Sequence, residues 1–177
     1  LEVMVRTKRE TQEFVNSVGE MAQREGILTS IVMRDLAANA QTLAIQSRRG
    51  VESMKILAVE AAKAGGSLKD FGQFGDMYLD IEQTSAAIGR ATTLLGSDIA
   101  KQMGSVQELR MMAERGDTAG ILERIQKATA AVVEIDKEGF LLHKSGRELY
   151  RSEIKAMAAL GRMTEEQFVI MARTVKG

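Results

Sequence analysis

Few side chains in this chain of 177 residues are suited to catalysis or metal binding, because it has one histidine, His143, and no cysteine. Without cysteine there is no thiolate nucleophile, thiolate metal site or disulfide. A Ser/His/Asp site would need His143 as its base, together with a loop that gathers a nucleophile and an oxyanion hole around it. A di-iron bundle would need Glu-x-x-His pairs, but the residue three positions before His143 is Phe140. We therefore expect no enzymatic activity, catalytic residue, metal or cofactor.

Basic side chains form the clearest candidate for a binding surface. Four of them recur at steps of three, four and four, which is the spacing of one helix face: Lys144, Arg147, Arg151 and Lys155. Arg48 and Arg49 form a second, smaller group. Anionic lipid headgroups attract such residues near a membrane surface by about 1 kcal/mol each. The pattern predicts a surface that binds anionic membrane, and a solvated helix face on which Glu148 and Glu153 form charge pairs is the alternative.

The charge balance and hydropathy restrict the partners and the location. Lysines and arginines number 24, as do aspartates and glutamates, so the formal net charge is zero and we expect no nucleic-acid partner. No stretch approaches the roughly 18 consecutive apolar residues that a membrane-spanning helix requires. We expect the protein to be peripheral or anchored at a membrane, at the cytoplasmic rather than the extracytoplasmic face, where basic residues are favoured.

The elements that must position these residues are predicted to be long helices. The chain has no proline and 4% aromatic residues, which favours uninterrupted helices over sheets and tight turns. Glycine and polar residues interrupt the apolar periodicity in two places. The predicted fold is all-α, a single domain over residues 1–177 built as an elongated antiparallel bundle of three long helices with coiled-coil packing. The arms cover residues of about 3–64, 76–115 and 118–175, joined by turns at about 65–75 and 115–118.

The third arm carries the strongest periodic signal. Its apolar residues recur seven apart, as in the core positions of a coiled coil: Ala128, Ile135, Leu142, Leu149, Ala156, Met163 and Ile170. Asp117 or Thr118 is expected to cap the start of this helix. The capping-box form of Thr164-Glu-Glu-Gln167 leaves a separate short helix at the end of the arm as the alternative. The seam, in the core or at a dimer interface, is expected to consist of Ile135, Leu142, Leu149, Met163 and Ile170.

The first arm has one weak point, at Arg48-Arg49-Gly50. The apolar spacing continues on both sides of it, so it predicts either a kink in one helix or a turn that creates a fourth helix. Three helices place the two ends of the bundle at opposite poles, whereas four place them at the same pole.

The length of these helices, the heptad seam, the scattered glycines and the exposed basic groups resemble the architecture of BAR domains. The resemblance rests on helix number and length and covers most of the chain, without a family motif. It implies a curved homodimeric scaffold that binds an anionic membrane through the basic residues above and senses or shapes its curvature.

Two other functions fit the same features. A ligand-sensing bundle of a transmembrane receptor, of the chemoreceptor type, needs an even number of long helices and therefore a true reversal near Arg48. An adaptor that binds only other coiled-coil proteins needs neither lipid nor ligand. None of the three functions is enzymatic.

Overall fold

The computed structural model describes residues 8–44, 48–69 and 74–176, and most of this part of the chain is helical, which confirms a mainly α-helical protein. The helices are α1 (Lys8–Arg24), α2 (Thr29–Ala38), α3 (Ala40–Ala44), α4 (Arg48–Lys63), α5 (Phe74–Leu79), α6 (Ile81–Leu95), α7 (Asp98–Met103), α8 (Val106–Glu114), α9 (Thr118–Val132), α10 (Arg151–Leu160) and α11 (Glu165–Lys176). Two strands, β1 (Val133–Ile135) and β2 (Leu141–His143), form a hairpin after α9. The longest described helix, α1, has 17 residues. Within the described ranges, no helix has the length and apolar character needed to cross a bilayer.

The first predicted arm is divided into several helices. After α1 the chain reverses at Gly26, whose φ of 70° lies in the left-handed region that favours glycine. The amide of Ile27 donates to the carbonyl oxygen of Ala22 at 2.9 Å, and α2 packs back against α1. The predicted kink or turn at Arg48-Arg49-Gly50 is the first turn of α4. Residues 45–47, just before it, lie outside the described residues.

The second predicted arm is also divided. Gly96, with a φ of 113°, follows α6, and Gly104, with a φ of 82°, follows α7. Both conformations are open to glycine and strained for other residues, so each ends a helix. The turn predicted at 65–75 begins as expected at Gly65, which has a φ of 72°, but residues 70–73 lie outside the described part of the chain.

The third predicted arm is not one helix, so the prediction of a continuous helix over residues of about 118–175 is wrong. α9 ends at Val132, and the next residue, Val133, has the extended backbone of a strand. Gly139 and Gly146, with φ values of 89° and 100°, allow the chain to turn twice before α10 begins. A continuous heptad requires helical backbone at every position, and these two left-handed glycines interrupt it.

The heptad residues consequently share no helix face. They lie in α9 (Ala128), β1 (Ile135), β2 (Leu142), α10 (Ala156), α11 (Ile170) and the connections between elements (Leu149 and Met163). The separate last helix is confirmed, because Thr164 Oγ1 accepts the amide of Gln167 at 3.1 Å and Gln167 Oε1 accepts the amide of Thr164 at 3.0 Å. The cap of α9 is confirmed as Asp117, whose carboxylate accepts the amide of Gly120 at 3.1 Å.

The core surrounds α9, which packs against α4, α7, α8 and α11. Ile121 and Ile125 of α9 are fully buried. α10 packs against α6 and α11, and Tyr78 of α5 connects to its end by donating from its hydroxyl to the carbonyl oxygen of Leu160 at 2.7 Å. Burial raises the pKa of Tyr78 above its usual range. The two helices that flank the hairpin in the sequence, α9 and α10, are therefore both packed in the core.

Candidate functional site

A small antiparallel sheet connects α9 to α10. β1 pairs with β2, and Leu142 of β2 forms a bridge with Glu148 on its other side. The amide of His143 donates to the carbonyl oxygen of Arg147 at 2.7 Å, and the amide of Leu149 donates to the carbonyl oxygen of Leu141 at 3.3 Å. Residues 147–149 thus act as a third strand beside β2.

One face of this sheet lies on the core. Val133 and Leu141 are buried, and Ile135 and Leu149 are partly buried against the hydrophobic core. The register places Ile135 opposite Leu141, so these side chains share one face of the sheet. Four of the five members of the predicted seam therefore pack in or against the core, and the fifth, Leu142, is on the opposite face of the sheet. The four are Ile135 and Leu149 in the sheet, Met163 before α11 and Ile170 in α11.

The opposite face, which we call the outer sheet face, points away from the core. The register gives it one cross-strand row, Glu134–Leu142–Glu148. Asp136 and Phe140 pair at the turn, and strand alternation places them and Tyr150 on this same face. Phe140 and Tyr150 are 57% and 64% exposed, which is high for aromatic side chains. Two aromatic rings and a leucine thus share a surface with three carboxylates.

The backbone that carries Phe140 is tightly fixed. Asp136 Oδ1 accepts the amides of Glu138 at 3.0 Å and Phe140 at 2.8 Å, which closes the hairpin turn. Arg173 Nε of α11 donates to the carbonyl oxygen of Gly139 at 2.9 Å. The turn is therefore held both from within and from the last helix.

The backbone that carries Tyr150 is fixed by a buried carboxylate. Arg147 Nη1 and Nη2 each lie 2.8 Å from an oxygen of Glu153, and Glu153 Oε1 also accepts the amide of Tyr150 at 2.8 Å. The hydrogen bond from Arg147 keeps the pKa of Glu153 below its usual range, although burial opposes this shift. The Arg147 guanidinium lies 4.5 Å from the centre of the Tyr150 ring, a cation–π contact.

The basic residues predicted from the sequence do not form one helix face. Lys144 and Arg147 precede α10, whereas Arg151 and Lys155 lie in its first turns. Lys144 pairs with Asp98 at 2.9 Å, and this hydrogen bond lowers the pKa of Asp98.

The remaining predicted basic residues are spread over two helices. Arg151 pairs with Glu165 at 3.4 Å, and Lys155 is exposed on α10. Arg48 and Arg49 are exposed at the start of α4. Three of the four residues of the predicted stripe thus form separate ion pairs, with Asp98, Glu153 and Glu165.

His143 takes part in a local turn. Its Nδ1 lies 2.8 Å from Ser145 Oγ and accepts the amide of Ser145 at 3.1 Å. Since both contacts come from the residue two positions ahead, the imidazole closes the turn that leads to Gly146. Within the described ranges, no group of histidines and carboxylates has the arrangement of a metal site.

A cavity of about 330 Å³ opens between α4, α5 and α8. Leu57 and Leu68 form part of its apolar wall, and Lys69 and Asp76, both exposed, lie at its edge. Its volume is at the lower end of the range for small-molecule sites, and it is open to solvent.

Comparison with known proteins identifies no relative, since no protein-family model, curated protein or solved structure matches the chain. The surfaces described above are therefore assessed by their own chemistry. Sequence reasoning missed the outer sheet face, although the Asp136-Lys-Glu-Gly139 turn between two apolar segments is a hairpin signal that could have identified it.

Proposed function

We propose that this domain is a non-enzymatic interaction module that binds another protein through the outer sheet face. The supporting observation is the pair of exposed aromatic side chains, Phe140 and Tyr150, which strand alternation places on the same face of the sheet. Exposed aromatics dominate the binding energy of many protein interfaces because they bury a large area with few rotatable bonds. Within the isolated domain, these two rings leave most of their surface in water and gain little from packing.

The rigidity of the sheet supports the same proposal. Asp136 and Glu153 fix the backbone amides of Phe140 and Tyr150, and Arg173 holds the turn. A surface that is ordered before binding loses less conformational entropy when a partner docks. The only histidine, already engaged with Ser145, adds no separate candidate for catalysis.

Site-specific photo-cross-linking in the cells from which the gene comes tests the proposal. The photoreactive residue p-benzoylphenylalanine would replace Phe140 in one variant and Met111, an exposed apolar residue of α8, in the matched control. We expect discrete protein adducts from position 140 and not from position 111. The absence of adducts at 140, or the same adducts at both positions, would refute the proposal.

A second candidate function, binding to anionic membrane, is supported by Arg48 and Arg49. Both are exposed in the first turn of α4, which has no acidic residue there. Two adjacent exposed arginines attract anionic headgroups by about 1 kcal/mol each near a membrane surface. A BAR-type scaffold requires helices much longer than 17 residues, the length of the longest described helix, α1. The membrane-binding candidate therefore depends on Arg48 and Arg49 and not on a long curved bundle.

Co-sedimentation with anionic and neutral liposomes tests this second candidate. The Arg48→Glu/Arg49→Glu variant should lose binding to anionic liposomes, whereas Arg90→Glu/Arg110→Glu, which changes two exposed arginines elsewhere, should retain it. Equal binding of both variants, or no binding by the parent, would eliminate the membrane function. Light scattering of the same samples tests the homodimer that the sequence predicts.

A further inference from the structure

We infer that the partner segment recognised by the outer sheet face combines an apolar side chain with flanking lysines or arginines. This inference rests on the proposed function and specifies the chemistry of its partner. It follows from the arrangement of charged and apolar side chains on the sheet. In the cross-strand row Leu142 lies between Glu134 and Glu148. Directly opposed residues of antiparallel strands have Cβ atoms about 4.5–5.5 Å apart, so both carboxylates border the leucine.

The rest of the face repeats this combination of charge and apolar surface. Phe140 lies opposite Asp136, and Tyr150, two residues beyond Glu148, is on the same face by strand alternation. Since side chains two residues apart on a strand point to the same face, Phe140 also neighbours Leu142. The result is an apolar strip along the middle strand with carboxylates along both outer strands.

Some charged side chains on and around this face have ion-pair partners, and others do not. Glu148 is exposed and has no ion-pair partner among the described residues, and the same holds for Glu138 at the hairpin turn. Glu134 is partly neutralised by Lys176 at 3.3 Å. Lys144, the nearest cation along β2, is paired with Asp98.

The negative character of the face is therefore only weakly offset. Both Nη atoms of Arg147 are already bonded to the Glu153 carboxylate. The cations near Glu138 that have no ion-pair partner in the described part of the chain are therefore Lys137 in the turn and Arg173, which donates to the carbonyl oxygen of Gly139. Unpaired carboxylates next to exposed apolar side chains attract a partner of opposite charge.

This charge distribution decides between the possible occupants. An anionic membrane, a nucleic acid or an acidic peptide would meet like charges at Glu148 and Glu138. A second copy docked face to face would place carboxylates against carboxylates, which is unfavourable. A basic and apolar segment of another protein satisfies both the carboxylates and the strip.

The aromatic rings add a second attraction for the same partner. The Arg147 guanidinium already lies 4.5 Å from the Tyr150 ring centre, which shows that a cation is accepted on this aromatic. The Phe140 ring, 57% exposed, has no such contact among the described residues. A lysine or arginine of the partner would therefore find both a carboxylate and a free aromatic face.

The test uses three short synthetic peptides and the whole domain. The first peptide has a leucine between lysines, the second has the lysines replaced by glutamates, and the third keeps the lysines but has serine for leucine. Fluorescence anisotropy measures binding at low and moderate salt. We expect the first peptide to bind about tenfold more tightly than either of the others, with weaker binding at the higher salt.

Variants assign the binding to this face. Glu148→Lys and Phe140→Ser should each weaken binding of the first peptide about tenfold, whereas Glu114→Lys, at an exposed position of α8, should change it little. Circular dichroism checks that all three variants fold. Equal binding of the three peptides, no binding of any, or equal effects of Glu148→Lys and Glu114→Lys would overturn the inference. Cross-links from position 140 that persist in those cases would leave the proposed function standing with a partner of different chemistry.

Discussion

Arg147 and Glu153 form a bidentate ion pair, with both guanidinium Nη atoms 2.8 Å from the two carboxylate oxygens. Glu153 is 2% exposed, whereas the Arg147 side chain is 38% exposed, so the carboxylate is the buried member. The same carboxylate accepts the amide of Tyr150 at the start of α10. One buried side chain thus ties the third strand to the helix and fixes the position of Tyr150.

Replacing this carboxylate should destabilise the fold. Glu153→Gln retains one acceptor oxygen but loses the charge that pairs with Arg147, and we expect the free energy of unfolding to fall by about 1–3 kcal/mol. Urea denaturation followed by circular dichroism measures the change. Glu114→Gln, at an exposed position, is the control and should stay within about 0.5 kcal/mol of the parent. Equal stability of the two variants would show that the pair does not stabilise the fold.

The same pair should make stability depend on acid pH. The hydrogen bond from Arg147 lowers the folded-state pKa of Glu153 below the unfolded value of about 4.3. A lowered pKa contributes stability above the unfolded pKa, and this contribution is lost as the pH falls through the folded pKa. Urea midpoints at neutral pH and at about pH 3 should therefore differ more for the parent than for Glu153→Gln. Parallel losses in both proteins would contradict the assignment.

A close approach between α5 and the start of α9 should make Gly75 sensitive to substitution. A Cβ atom at Gly75 would lie 2.6 Å from Thr118 Cγ2. Gly75→Ala should reduce the free energy of unfolding by about 1–3 kcal/mol. In a Thr118→Ser background, which lacks Cγ2, the same substitution should have little effect or stabilise the helix, because alanine favours helix over glycine.

A double-mutant cycle of thermal or urea denaturation measures this coupling between Gly75 and Thr118. Thr118→Ser alone serves as the reference. Additive effects of the two substitutions would mean that the Gly75→Ala penalty arises elsewhere.

The hairpin turn should depend on the acceptor oxygen of Asp136 and not on its charge. Asp136→Ala removes the acceptor of two backbone amides, those of Glu138 and Phe140, and should cost about 1–2 kcal/mol. Asp136→Asn keeps an acceptor oxygen and should remain near the parent in urea denaturation. If alanine and asparagine were equally destabilising, the charge would be the important property.

Glycines explain why the helical class is predictable from the sequence and the helix lengths are not. The absence of proline and the apolar periodicity correctly indicated a mainly helical protein. Gly139 and Gly146 lie within the third predicted arm, and both are left-handed turn residues. Sequence spacing alone does not separate a close helix contact from a turn, because glycine suits both.

The candidate site was harder to predict for a related reason. Arg147 and Glu153 were expected on a helix surface, whereas they form an ion pair at a strand-to-helix junction in which the Glu153 carboxylate is buried. Phe140 appeared only as the residue that excluded a di-iron motif. Its placement on the same face as Tyr150 depends on the strand register, which pairs Leu142 with Glu148.

The sequence by itself determined the local elements that depend on short-range contacts. The Asp117 cap of α9 and the Thr164–Gln167 capping box are decided by hydrogen bonds between residues three positions apart. Only the tertiary structure decided which apolar residues are covered. Burial of Leu141 and exposure of Phe140, adjacent in the sequence, follow from the alternation of a strand and from its packing on the core, and both require the complete fold.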